Sequence, residues 1–440
     1  MSEQPITTPS TSQPVIPRKY LFAFIIVTSL FALWGFANDI TNPMVAAFKN
    51  ILLISNFESS LVQAAFYGGY CFMAIPAALF ITRFSYRAGL LMGLAFYAAG
   101  CLLFVPAGGM MAFWLFLVAY FVMTCGLSFL ETSANPYILS MGDPSTSTRR
   151  LNFAQAFNPL GSITGMLIAR NLILAKIDST SEADRRVLSE EDPEAFAAIQ
   201  QSDLDIIVGP YVVLGVVVLA ILIVFALVKL PGTSSGDIKT AVMPTIKRLI
   251  ARPHYVWGVV AQAFYVGAQI MCWTFVIQYG MNELNMTAAS AQSYNIWAMG
   301  IFVSSRFICT YLLKFFNPGS LLSGLAIGGG VLTLGAIFLT GMPGLYALIG
   351  VSACMSLMFP TIYGIALEGT GEDAKFGSAG LILAIGGGCL MPPIQAAIMD
   401  MDAFSFGSFV LSSTRISFAL PLICFIAIAT YGFFNRPRRA

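Results

Sequence analysis

Apolar stretches long enough to cross a bilayer recur about twelve times along this chain. They lie at roughly 20–47, 59–82, 88–107, 111–141, 151–174, 208–230, 254–281, 288–314, 320–341, 344–367, 376–399 and 405–434. A hydrocarbon core about 30 Å thick takes about 20 apolar residues of helix. Because lipid offers no hydrogen bonds, only helices and closed barrels satisfy their backbone there. Barrel strands read as alternating segments of about ten residues, whereas these runs are continuous. The reading is an all-α membrane protein with twelve transmembrane helices. Composition agrees, since 57% of the 440 residues are hydrophobic and 10% are charged, against about 25% charged in soluble domains.

Lysine and arginine orient such a chain, because basic residues stay on the cytoplasmic side. With the N-terminus inside, the outer segments hold Lys49, Arg170, Lys176, Arg185, Arg186 and Arg415 of the 23 basic residues, and the other 17 lie inside. Both termini are therefore expected in the cytoplasm of a bacterial cell, with the chain multi-pass in the inner membrane. Residues 1–17 lack the basic, apolar and small-residue succession of a cleavable signal.

The net charge of +2 marks topology and gives no nucleic-acid signal. All eight cysteines fall inside apolar runs without a C-x-x-C pair, so neither disulfides, a metal site nor a cofactor is expected. His254 stands alone at a membrane edge. An intramembrane enzyme would need paired histidine and acid, a Ser/His pair or metal ligands, so the chain reads as a non-enzyme.

Polar interruptions divide the chain. A tail over 1–19 precedes six spans over 20–230, a basic linker over 231–253, six further spans over 254–434 and a tail over 435–440. Residues 175–206 form an acidic external loop with room for a short surface helix. The halves echo each other: Arg83-Phe84 against Arg306-Phe307, Asn135-Pro136 against Phe359-Pro360, and Arg149-Arg150 against Lys375. Such self-similarity marks an internal repeat, and a 6+6 bundle of repeats joined by a basic linker is the layout of the major facilitator superfamily.

Ionisable groups at mid-bilayer cost about 2.5–3.5 kcal/mol on insertion scales, so they face a cavity or a partner. Two acids lie within spans, Asp39 in span one and Glu131 in span four. Each reads either as a proton carrier or as the satisfied partner of another polar group. Polar residues around them recur at helical spacing: Trp34, Asn38 and Asn42 in span one, Asn152, Gln155 and Asn158 in span five, and Gln262, Tyr265, Gln269 and Trp273 in span seven. Amides exchange hydrogen bonds with hydroxyls and aromatic faces pack on the C–H side of a sugar ring, while single amides also serve as helix–helix glue. Gly386-Gly387-Gly388 and Pro392-Pro393 in span eleven point to a bend or a close-packing site.

These motifs resemble the fucose–proton symporter branch of the major facilitator superfamily over nearly the whole chain. The resemblance rests on Phe31-Ala-Leu-Trp34 with Ala37-Asn38, on Gln63-Ala-Ala-Phe-Tyr67-Gly-Gly-Tyr70, on Glu131-Thr-Ser-Ala-Asn-Pro136 and on Arg150-Leu-Asn-Phe-Ala-Gln155-Ala-Phe-Asn158. The second half adds Ala261-Gln-Ala-Phe-Tyr265-Val-Gly-Ala-Gln269 with Cys272-Trp273, then Lys375-Phe-Gly-Ser378 with Gly386-Gly-Gly388. It implies sugar uptake coupled to protons by alternating access, with Glu131 as the span-four acid, and a sugar site that includes Gln155, Asn158, Gln262, Tyr265, Gln269 and Trp273. Three departures stand out. The family's span-one acid falls at Asn42, with Asp39 replacing an amide one turn earlier. Phe359 stands in place of a tyrosine. Asn295 and Trp297 have no counterpart.

The reading is a monomeric secondary transporter importing a monosaccharide, L-fucose or a related hexose, by proton symport. Glu131 and Asp39 are the coupling acids, and the substrate contacts are those above together with Trp34, Asn38, Asn42 and Phe359. Sodium coupling, with Asp39, Thr41 and Asn42 as oxygen ligands, is the alternative, and a transporter-like sugar sensor is a more distant one.

Overall fold

Several helices of this chain start where a loop side chain takes up a free N–H group of the first turn. Ser55 accepts from Glu58 N while Glu58 returns the bond to Ser55 N, a reciprocal capping box. Ser85, Asp192, Thr287, Asn317 and Ser412 each cap a later helix by accepting from a backbone N–H of its first turn. The computed structural model describes residues 16–142, 150, 153–228, 242–313, 315–370, 373–406 and 409–435. Of the residues flagged in the sequence, Asn152, Arg149 and linker residues 231–241 lie outside that set.

The first six spans are built as follows. Span one joins α1 (Leu21–Thr41) to α2 (Met44–Leu52), broken at Pro43, and α3 (Asn56–Arg83) is span two. Span three is α4 (Tyr86–Leu102) with α5 (Phe104–Gly109), and α6 (Phe113–Leu139) is span four. Span five is α7 (Asn158–Ile168) running into a π-helical stretch, Ala169–Leu174. After the surface helix α8 (Glu182–Glu191) comes α9 (Pro193–Leu227), which is span six.

The linker contributes α10 (Val242–Ile250), and α11 (Pro253–Leu284) is span seven. Then follow α12 (Ala288–Leu312), α13 (Pro318–Phe338), and α14 (Met342–Met355) with α15 (Met358–Leu367) as span ten. Span eleven is α16 (Ala374–Leu383), a 3-10 turn at Ala384–Gly386, and α17 (Gly387–Met399). Span twelve is α18 (Ser413–Ser417) with α19 (Ala419–Phe434).

Ten of these stretches are long and apolar enough to cross a membrane among the described residues. The other two are spans five and eight. Span five is interrupted by the π stretch, and α12 carries Ser290, Gln292, Ser293, Asn295 and Arg306, which lower its hydropathy. Two boundaries differ from expectation. Span six begins inside the acidic segment read as loop, because Asp192 and Pro193 start a helix that runs unbroken into the membrane. Span twelve is shorter than the apolar run 405–434, since Phe404–Phe406 (β1) and Phe409–Leu411 (β2) pair as an antiparallel hairpin with Ser405 opposite Val410.

The two halves pack alike. Span three lies on spans four and six as span nine lies on ten and twelve, and span one lies on five as seven lies on eleven. Between the halves, α3 packs on α17 and α7 on α12. The approach of α1 to α7 is set by missing side chains: a Cβ on Gly161 would stand 1.8 Å from Ala32 O, and one on Gly35 2.1 Å from Asn158 O. The three glycines of span eleven combine both expected roles. They break the α-helix at the 3-10 turn, and Gly387 lies where a Cβ would stand 2.0 Å from Ala263 O.

Candidate translocation site

The end of the bundle holding Arg18 and Asn435 is the near end, and the opposite one the far end. Steps of three and four residues line up Trp34, Asn38, Asp39 and Asn42 along α1. Asp39 and Asn42 are each 1% exposed, and Asn42 Nδ2 donates to Asp39 Oδ1 at 3.1 Å. Asn38 and Ser162 lie beside the same carboxylate, Ser162 being brought there by the glycine contact of α1 with α7. Asn38 Oδ1 in turn accepts from the Tyr67 hydroxyl at 2.7 Å.

From Asn42 the polar chain crosses between the halves. Gln63 Nε2 donates both to Asn42 Oδ1 and to Thr274 Oγ1, each at 3.1 Å. All three residues are buried. They join α1, α3 and α11 in one layer on the far side of Asp39.

Glu131 sits in the near-end third of α6, beside the Tyr70 hydroxyl that also meets Trp34. Its Oε2 is buried without a hydrogen-bond partner among the described residues. Asn135 Nδ2 donates to the Glu131 carbonyl at 3.1 Å, and the exposed Gln155 donates to Asn135 Oδ1 at 3.2 Å. None of the ion pairs found among the described residues includes Asp39 or Glu131. Both acids are thus surrounded by neutral polar groups.

Span seven divides its polar residues. Gln262 is fully buried and neither of its amide atoms has a partner among the described residues. The Tyr265 hydroxyl donates to Met355 O at 3.1 Å, and Trp273 Nε1 donates to Ser352 Oγ at 3.1 Å with its ring edge-on to Phe302. These two hold α11 to α14 in this conformation. Asn158 Nδ2 likewise donates to Phe31 O at 3.3 Å, tying span five to span one. Gln269 and Phe359 are half-buried, and the Phe359 ring lies between those of Tyr265 and Tyr363.

Asn295 donates to Trp273 O at 3.0 Å as a packing residue, and Trp297 is 69% exposed on the outer surface. Gln63, Tyr67, Tyr70 and Thr274 belong to the polar group although sequence reasoning gave them no role. Their signal was the spacing of Gln63, Tyr67 and Tyr70 at steps of four and three, the pattern that flagged span one. At the near end, Arg248 of α10 donates to both Asp373 oxygens, at 2.6 and 3.1 Å. Those bonds hold the Asp373 carboxyl below its ordinary range.

The comparisons with known proteins agree with this architecture. Residues 23–379 match the model of the Major Facilitator Superfamily. The chain is 52% identical over 426 residues to the L-fucose-proton symporter of Haemophilus influenzae, covering 95% of this chain and 97% of that protein. It is 34% identical over 423 residues to the L-fucose-proton symporter of Escherichia coli, covering 95% and 94%. The crystal structure of the transporter FucP in the outward conformation aligns with a TM-score of 0.70 at 33% identity, over 96% of this chain and 100% of that one. With a multi-pass bundle whose halves repeat one packing scheme and with named transporters as its relatives, the chain is a transporter and not an enzyme, and it belongs to the Major Facilitator Superfamily.

Proposed function

We propose that this chain imports a monosaccharide, L-fucose or a close relative, together with a proton, by alternating access. The observation that carries the reading is Glu131. It is a membrane-embedded acid with a buried carboxylate oxygen that has neither a partner nor a counter-cation among the described residues, next to tyrosine, tryptophan and amide groups suited to hydroxyls. A proton taken up there changes the net charge of the site by one unit, which is what lets an ion gradient act on the sugar-loaded carrier. The fucose-proton symporters among its relatives support the same assignment.

In this reading Asp39 takes the span-one acid's role. Its partners are Asn42, Asn38 and Ser162, all neutral. Substrate contacts are assigned to Trp34, Asn38, Asn42, Gln155 and Gln262, with Gln269 and Phe359 at the edge of the site. Asn158, Tyr265 and Trp273 join them when the halves rock. Protons are favoured over sodium by the fucose-proton symporters among its relatives, and because Asn42 Oδ1, one of the three oxygens offered to a hard cation, accepts from Gln63 instead. The basic-residue bias supports a bacterial inner membrane with the termini and the near end on its cytoplasmic side. One chain suffices, since both halves of the path lie within it.

The test is counterflow in proteoliposomes across a panel of sugars, with proton and sodium gradients imposed separately. L-fucose accumulation driven by a proton gradient and indifferent to sodium is expected. Accumulation that follows sodium at fixed pH overturns the coupling assignment, and transport of no monosaccharide overturns the substrate class.

A further inference from the structure

A second cavity, of about 680 Å³, opens at the far end between the end of span one, the segment after span five and the end of span seven. Its size falls within the range of about 300–1,000 Å³ usual for small-molecule pockets. Lys49 and Asn50 line one wall, Asp178, Glu182 and Arg185 a second, and Gln278 the base. Gln278 is 2% exposed, and neither its amide nitrogen nor its amide oxygen has a partner among the described residues. Buried amides in folded proteins are nearly always hydrogen-bonded, so this one is positioned to engage a group the chain does not supply.

The charges on the walls cancel. Lys49 and Arg186 both pair with Glu182 at 2.9 Å, and Arg185 pairs with Asp203 at 2.6 Å and with Asp178 at 3.8 Å, so three cations and three acids leave the cavity without a net charge to select an ion. An amide that offers N–H donors and a carbonyl acceptor side by side suits a hydroxyl, which both donates and accepts. Gln278 stands one helical turn beyond Thr274, so the buried layer of Asn42, Gln63 and Thr274 separates this cavity from Asp39 and Glu131.

We propose that the far-end cavity around Gln278 is a second sugar station, holding a neutral, hydroxyl-rich monosaccharide outside the closed layer while the central group faces the near end. This rests on the reading of the chain as a sugar transporter. The two stations lie on opposite sides of the buried layer and fill independently, so the chain holds two sugars in this conformation.

Equilibrium dialysis of the purified full chain with radiolabelled L-fucose tests it. Two molecules bound per wild-type chain are expected. Gln278→Leu should reduce this to one with the remaining affinity unchanged, and Asn50→Leu on the opposite wall should do the same. As a second readout, L-fucose should slow the maleimide labelling of an Asn50→Cys chain, and adding Gln278→Leu should abolish that protection. A single molecule per wild-type chain, or two retained in both leucine variants, overturns the station and leaves the transport reading standing. No sugar bound to any of these chains takes down both.

Discussion

Asp400, at the end of span eleven, caps the first turn of span two, 344 residues away in sequence. Its Oδ1 accepts from the Asn56 backbone N–H at 2.9 Å and from Asn56 Nδ2 at 2.7 Å, and its Oδ2 accepts from Phe57 N at 2.7 Å. The bond set spans the two halves at the far end. A carboxylate there also meets the positive end of the helix dipole. Replacing a helix-capping acid by alanine costs about 0.5–2 kcal/mol. Asp400→Ala should therefore loosen the far-end closure, and amide exchange over the first turn of α3 should quicken about tenfold at the middle of that range. Wild-type exchange at Asn56 and Phe57 in the variant would show that the cap is not held in solution.

Glu131→Gln removes the titratable group and keeps its size. Concentrative uptake should be lost while exchange of preloaded against external sugar continues, because the bundle can still reorient. Accumulation at the wild-type level would take Glu131 out of the coupling step.

Asp39 and Asn42 touch each other on one face of α1, so the carboxylate and the amide are interchangeable in place. Asp39→Asn should impair proton-driven uptake. The double variant Asp39→Asn with Asn42→Asp should regain part of it, since one turn shifts the carboxylate by about 5 Å along the helix axis. Full accumulation by the single variant would leave Glu131 as the only coupling acid.

Gln262 and Asn158 were read alike in the sequence and differ in the structure. Gln262→Leu should weaken sugar binding by about 1–3 kcal/mol, the usual cost of leaving a polar partner unpaired. Asn158→Ala should act first on thermal stability, through the lost bond to Phe31 O. Binding titrations and melting curves run side by side separate the two, and equal effects in both assays would contradict the distinction.

Arg248 and Asp373 fasten the linker helix α10 to the start of span eleven. Because the pairing lowers the Asp373 pKa, the stabilisation is fully present above the ordinary carboxylate range and is lost as pH falls through the lowered value. Limited proteolysis of the linker should be slow at pH 7 and quicken in strong acid, and Asp373→Asn should give the fast pattern at pH 7. A cleavage rate that ignores both changes would mean that the pair does not restrain the helix.

The twelve-span bundle was legible because lipid leaves a spanning backbone almost no choice but the helix, and apolar runs record that choice residue by residue. The stripes of spans one and seven were legible for the same reason, as helical spacing fixes which residues share a face. What did not show was direction across the gap between helices. Tyr265 and Trp273 sit on a polar stripe with Gln262, yet carbonyl and hydroxyl acceptors on α14 claim their donors, and nothing local in the sequence records those partners. Asp400 was invisible for a similar reason, being one acid after a helix end until the fold sets it against Asn56. Span six was misjudged at its start because charged side chains on a helix outside the membrane look like a loop by hydropathy alone.

Glycine in the interior of a helix is an obvious target for stabilising a membrane protein, since alanine there is worth about 0.8–1.0 kcal/mol of helix propensity. In this chain that rule inverts at Gly35, Gly161 and Gly387, where an added methyl would stand about 2 Å from a neighbour's backbone oxygen. Alanine at the first two would pry span one from span five and carry Asp39 away from Ser162. Gly300, Gly324 and Gly364 meet nothing within 4 Å on the same test. A thermostabilised version of this transporter should be sought at those three positions, with the tightly packed glycines left untouched.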